Sequence, residues 1–235
     1  MYKYFLKGLI ILNKKLLESN MFFGIKLTEE QKIFRDAIFD DNCNIVFCNA
    51  AAGTGKTLIA VASAKLLVSS GKYNGLTYVF SAVQESTLGY STGSIEEKES
   101  KYLSPLHDAL ITINEIPEKS IISNCANTQK KNSYAWVKAK SHTFMRGINI
   151  DREIIVLEET QNMTIHEIKK ILTRCHDSSK IICIGHVGQI DLRNKSHSGF
   201  ERYINHFADK EKCSICTLTQ NFRGWVATHA DQLVE

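Results

Sequence analysis

At 235 residues the chain is long enough for one α/β core with a small appendage. A charged fraction of 23% beside 43% hydrophobic residues is ordinary for a globular protein, and a formal net charge of +4 permits a nucleic-acid partner without requiring one. The 7 cysteines, scattered and odd in number, argue for free thiols in a reducing compartment and against a disulfide scaffold. With no cleavable leader legible and no apolar run fit to cross a membrane, a cytoplasmic chain without membrane contact is expected.

Residues 1–23 read either as an amphipathic docking helix or as a loose extension, with Lys3, Lys7, Lys14 and Lys15 interrupting the apolar positions. Residues 24–235 read as one globular domain. Thr28 is placed to cap a helix from Glu29 to Phe39, with Glu30 and Gln31 in its first turn. Asn44–Cys48 is an apolar run that predicts a strand, followed by a helical pattern over 56–69. Leu76–Phe80, bounded by Asn74-Gly75 and Ser81, predicts the next strand. Residues 85–103 read as an exposed loop entering a polar helix. A helix over 104–111 follows, and Ser120–Lys140 suggests a β-rich insertion reaching to about 145. Strands at Glu153–Leu157, Lys180–Ile184 and Cys213–Leu218 alternate with helices at 164–175, 198–208 and 224–233. Short apolar strands alternating with helices specify an α/β fold, a mostly parallel sheet sandwiched by helices.

The segment Asn49-Ala50-Ala51-Ala52-Gly53-Thr54-Gly55-Lys56-Thr57 joins the first of these strands to its helix. Strand, glycine-rich turn, Gly-Lys-Thr and helix together form an arrangement that cradles nucleotide phosphates. Gly53 and Gly55 permit backbone conformations and close approach that a side chain blocks. Ala52, Gly53, Thr54 and Gly55 supply N–H groups, and the helix adds its positive end. Lys56 is expected to pair with the β- and γ-phosphates and Thr57 to ligate Mg2+. The first glycine of the usual pattern is replaced by Ala50, a change compatible with the motif if the backbone there is not left-handed.

A partner carboxylate is expected at the end of a neighbouring strand, and Ile154-Ile155-Val156-Leu157-Glu158-Glu159 supplies two. Glu158 is assigned to the Mg2+ shell and Glu159 to polarising the attacking water. Gln189, following Lys180–Ile184, is placed to sense the γ-phosphate or orient water. Gln31 is either an adenine-reading amide or an ordinary helix glutamine.

Beyond these residues, the chain from about Leu27 onward resembles the phosphate-starvation-inducible PhoH-like ATPases, especially phage-encoded members. The resemblance runs through Gly89-Tyr90, Glu97-Lys98, Tyr102 to Leu110, Phe144-Met145-Arg146-Gly147, Glu158 to Asn162, Gln189 to Leu192 and Ser198-Gly199. Thr219-Gln220-Asn221-Phe222-Arg223-Gly224 adds a likeness to the nucleotide-binding domain of superfamily-one helicases. The resemblance implies a RecA-like P-loop NTPase core, ATP and Mg2+ as ligands, and a γ-phosphate contact from Arg223, within the chain or across a subunit boundary. Departures fall at Ala50, Ala82, Glu158 and His186. They bear on turnover more than on nucleotide binding.

Cys213-Ser214-Ile215-Cys216 has a metal-like spacing without a second pair, so alternation along a strand is the simpler account. Lys130, Lys131, Lys138, Lys140 and Arg146, with Tyr134 and Trp136 among them, form either a patch for RNA or single-stranded DNA or a solvated basic insertion. One core lacks the second domain of a translocating helicase, so a homo-oligomer such as a hexameric ring is the expected way to supply the missing face, with Arg146 or Arg223 reaching a neighbour's nucleotide. The leading expectation is Mg-dependent ATP hydrolysis coupled to nucleic acid. The alternative is a nucleotide-gated binding protein with little turnover.

Overall fold

The computed structural model describes residues 21–81, 101–122 and 134–231. The expected docking helix (apart from its end), most of the loop at 85–103, Ala82, and Lys130 and Lys131 lie outside the described residues.

A short hairpin opens the structure. β1 (Met21–Phe22) pairs antiparallel with β2 (Ile25–Lys26). Its two turn residues, Phe23 and Gly24, both have positive φ, 50° and 82°, which matches the twist of a tight hairpin. At residues 21–23 the predicted helix is therefore replaced by strand and turn. Phe22 is buried in the main core, so the hairpin straddles the boundary drawn at 23/24.

α1 (Glu29–Phe39) starts where the sequence places it. The Thr28 hydroxyl accepts from the Gln31 N–H at 3.3 Å, and the Gln31 side chain accepts from the Thr28 N–H at 3.0 Å. That reciprocal cap satisfies two otherwise orphaned donors. β3 (Ile45–Ala50) leads through the glycine-rich turn into α2 (Lys56–Ser69). β4 (Leu76–Phe80), α3 (Ser104–Thr112), the single-turn α4 (Pro117–Ser120) and β5 (Val137–Ser141) follow. The chain then runs through β6 (Ile154–Leu157), α5 (Ile165–Leu172), β7 (Lys180–Gly185), α6 (Phe200–Phe207), β8 (Cys213–Leu218) and α7 (Trp225–Asp231).

The main sheet has 6 strands in the order β5-β4-β6-β7-β3-β8, and every pairing is parallel. β4, β6 and β7 are buried along their whole length, as expected of strands covered on both faces. Val46, Cys48, Tyr78, Val156 and Ile182 face α1, α2 and α3. Phe47, Val79, Ile155, Leu157 and Cys183 face α5 and α6. α2 is apolar nearly all round, and its Ala60, Ala62 and Ala64 let it lie close against its neighbours. Lys180, buried at the start of β7, donates to the carbonyl oxygens of Asp40 (2.6 Å) and Cys43, which ties the α1–β3 connection to the sheet.

Two details depart from expectation. β5 lies within the supposed insertion, yet it is a parallel edge strand of the main sheet, paired with β4 from Val137 to Ser141. β3 and β6 are not neighbours, because β7 lies between them. Cys213 and Cys216 belong to opposite faces of β8, and no cluster of metal-ligating side chains occurs among the described residues.

Candidate nucleotide site

In a parallel sheet all strands point the same way, so the segments after β3, β6, β7 and β8 gather at one edge. That edge is where ligands bind in open α/β sheets. The turn after β3 is shaped by Gly53 and Gly55, with φ of 75° and 81°. Ala50 is the last residue of β3, buried and paired with Leu218, and its backbone is not left-handed, which explains why alanine serves there. Thr54 is buried and its hydroxyl donates to the Ala51 carbonyl at 3.0 Å, holding the turn. The Lys56 ammonium also reaches the Ala51 carbonyl, at 3.5 Å. α2 begins after Gly55 with no side-chain cap, leaving its first N–H groups available to an anion.

Across the end of β7, the Thr57 hydroxyl lies 3.0 and 3.2 Å from the two carboxylate oxygens of Glu158. Glu158 is 3% exposed. Burial, and then the neighbouring Glu159 carboxylate, push its carboxyl up to about 7, against the pull of Lys56, Thr57 and Tyr78. The Tyr78 hydroxyl is buried beside this carboxyl without a hydrogen bond of ordinary geometry. A threonine hydroxyl facing a buried carboxylate is the hard-oxygen donor set that Mg2+ takes, so these residues fit the ion.

Glu159 has φ 50° and ψ 44°, a left-handed conformation unusual for a non-glycine residue and typical of functional sites. The three residues after it stitch β6 to the loop beyond β7. The Thr160 hydroxyl donates to the carbonyls of Leu157 (2.8 Å) and Ile184 (3.0 Å). The Gln161 amide donates to Glu159 and to the Gln189 carbonyl (3.1 Å), and it accepts from the His186 N–H at 3.1 Å. Asn162 exchanges two bonds with Asp191, at 2.9 and 2.8 Å. Gln189 is thus brought to the same edge as Glu159.

The segment after β8 folds back over the glycine turn. The Phe222 N–H donates to the Gly53 carbonyl at 2.9 Å. A Cβ on Gly53 would lie 2.7 Å from the Asn221 Oδ1 and 2.9 Å from the Arg223 Cγ, so Arg223 packs directly on the turn. Glu30 of α1 anchors this segment by accepting from the Thr219 N–H and hydroxyl at 2.7 and 2.8 Å. Gln31 sits behind the turn and donates to the Thr54 carbonyl at 2.9 Å. Beside it lies a narrow apolar hollow lined by Phe22, Phe23, Leu58 and Ile59.

Among the described residues the basic stretch does not form one patch. Trp136 is 7% exposed, its indole N–H donates to Glu115 at 3.3 Å, and Lys65 lies over its ring. Its faces are therefore not offered to bases, and Tyr134 is the exposed aromatic. Lys138 is ion-paired with Glu153 at the start of β6, at the opposite end of the strands from the site. Lys140 is half-buried, and exposed Arg146 follows β5 at the site's edge of the sheet. Arg146 follows the 3-10 turn His142–Met145, whose Met145 is buried in the cluster that holds Ile168 of α5 and whose His142 lies 3.1 Å from Glu167.

The sequence motifs include Gln161, Asn162 and Asn49 without giving them a role, and omit Tyr78; the Asn49 Oδ1 accepts from the Val187 N–H at 3.1 Å. The available signal was the run of polar residues immediately after a buried strand.

Fold and site together define a parallel α/β domain whose glycine turn has the pattern of a phosphate loop. The PhoH-like protein family matches residues 25–228, and the chain belongs to that family. It is 34% identical to a PhoH-like protein of Mycobacterium bovis, over 82% of this chain and 52% of the relative. It is 32% identical to a PhoH-like protein of Bacillus subtilis, over 66% and 46%, and 26% identical to Protein PhoH of Escherichia coli, over 73% and 47%. The chain spans about half the length of these curated relatives. Overlay on the Hef helicase domain of Pyrococcus furiosus is loose, with a TM-score of 0.49 and 14% identity over 80% of this chain and 38% of that one. No helix among the described residues is long and apolar enough to cross a membrane.

Proposed function

We propose that this chain binds ATP with Mg2+ and hydrolyses it, and that single-stranded RNA or DNA modulates turnover. The observation that carries the reading is the contact of the Thr57 hydroxyl with the buried Glu158 carboxylate, beside a lysine on a glycine turn. The triphosphate lies on Gly53, Thr54 and Gly55, with the uncapped start of α2 and Lys56 facing the β- and γ-phosphates. Thr57 and Glu158 hold the metal ion, which supplies positive charge to the phosphate oxygens when bound. Glu159 takes the proton of the attacking water. That water's oxygen bonds to the γ-phosphorus as the bridge to the β-phosphate breaks, leaving ADP and inorganic phosphate. Gln189 orients the water or senses the γ-phosphate, and Arg223 neutralises charge on the same group.

Exposed Arg146 serves a nucleic-acid backbone together with Lys140, or the nucleotide of a second copy in a homo-oligomer. The nucleic-acid reading is tested by phosphate release with and without single-stranded RNA or DNA. A stimulated rate that Arg146→Ala abolishes supports coupling, and equal rates in all conditions count against it.

A second reading, a nucleotide-gated binding protein, is favoured by the two departures in the loop and metal positions, Ala50 and the buried Glu158. Tight Mg-ATP binding without release would select it.

A further inference from the structure

The mechanism above uses Glu159 and Gln189 but not the side chain that joins them. Gln161 is 1% exposed, and every polar atom of its amide is spoken for at the site. Its Nε2 donates to a Glu159 carboxylate oxygen and to the Gln189 carbonyl, the latter at 3.1 Å. Its Oε1 accepts from the His186 N–H at 3.1 Å. The space it occupies is reserved, because a Cβ at Gly185 would lie 2.4 Å from its Oε1 and 3.1 Å from its backbone nitrogen. An amide is the one side-chain group that donates to a carboxylate and a carbonyl while accepting from an N–H. A carboxylate in its place lacks the donors, and an apolar side chain of equal volume lacks both functions.

Resting on the reading of the site given above, the geometry points to Gln161 as a positioning residue that locks the water-activating Glu159 to the loop carrying Gln189, so that the γ-phosphate and the attacking water are addressed by one rigid unit. The flanking bonds of Thr160 and Asn162 fix the backbone of this joint. Gln161 fixes the carboxylate. The ionisable groups facing the joint are Glu159, His186 and Asp191.

The test uses Gln161→Glu and Gln161→Met, two variants of nearly unchanged volume, with the parent and Lys56→Ala beside them. Phosphate release and the affinities for ATP and ADP are measured with magnesium, after thermal unfolding has shown each variant folded. Both variants are expected to lower kcat by roughly tenfold or more with KM for ATP changed less than about threefold, because a group that only aligns the water acts after binding. In Gln161→Glu, activity relative to parent is expected to rise as pH falls from about 8 to about 6, since protonation restores one donor and removes repulsion from Glu159. Gln161→Met gives no such recovery. The preference for ATP over ADP is expected to fall at least threefold or so in both variants, a readout that needs no turnover.

Lys56-dependent binding or release with an unchanged kcat, an unchanged ATP-to-ADP preference and a flat pH ratio overturns this inference and leaves the ATPase reading standing. Absence of any Lys56-dependent binding overturns that reading, and the inference with it.

Discussion

Glu158 carries an unusual protonation balance for a carboxylate. Its ordinary value of 4.5 is raised to about 7 in the fold by burial and by Glu159. A carboxyl whose folded pKa is higher than its unfolded one holds its proton more tightly when folded. The resulting stabilisation is complete below the unfolded value and is lost as pH rises through the folded one. The effect at full burial is on the order of 3 kcal/mol. Urea unfolding in the presence of a chelator is therefore expected to show stability falling between about pH 5 and about pH 7.5, and Glu158→Gln is expected to flatten that slope. An identical slope in the variant would assign the effect to other groups. At the neighbouring position, Glu159→Gln is expected to lower kcat by roughly 10²-fold or more with little change in KM, read from steady-state phosphate release. Lys56 and Thr57 were legible in the sequence because their chemistry is carried by residue type and spacing along one strand–turn–helix unit, and Glu158 because an acidic pair ends a short apolar strand. Gln161 was quoted only as part of a family motif and Tyr78 not at all, because contacts to Gln189 and His186 for the one and to Glu158 for the other join segments distant in the chain.

At the level of elements, the apolar runs announced the strands, and the Thr28 cap announced α1 to the residue. Strand order was not legible. β6 and β7 are buried on both faces, so neither carries a pattern that tells which neighbour it takes. The sequence therefore could not place β7 between the glycine turn and the acidic pair. β5 was assigned to an insertion and not to the main sheet because Val137-Lys138-Ala139-Lys140-Ser141 is a polar edge strand, whose lysines discourage pairing with another chain. Two predictions belong here. Gly185→Ala drives a methyl group into Gln161, so it is expected to cost about 1–3 kcal/mol of stability, measured by urea unfolding, and to reduce turnover beyond what lost folding explains. Trp136→Ala is expected to cost about 3–5 kcal/mol, by removing a buried ring and a partner of Glu115, while leaving nucleic-acid affinity per folded molecule unchanged. A selective loss of affinity in a fully folded Trp136 variant would restore the stacking role.

For the whole molecule, one edge of a parallel sheet collects a glycine turn, two carboxylates, a polar joint and an arginine, while Arg146 lies exposed on the segment after β5. If Arg146 grips a single-stranded backbone, Arg146→Ala is expected to weaken binding uniformly across sequences and to reduce the dependence of log K on log salt by about 0.7, read from a salt titration. An unchanged slope would place Arg146 outside that interface. The measurement that bears most directly on the central claim is single-turnover phosphate release from ATP with magnesium, comparing the parent with Lys56→Ala. The account predicts release by the parent and at least a tenfold or so lower rate in the variant, because the lysine is the mobile charge at the β- and γ-phosphates. Equal rates, or release by neither protein, would contradict the assignment of this edge as an ATP-hydrolysing site.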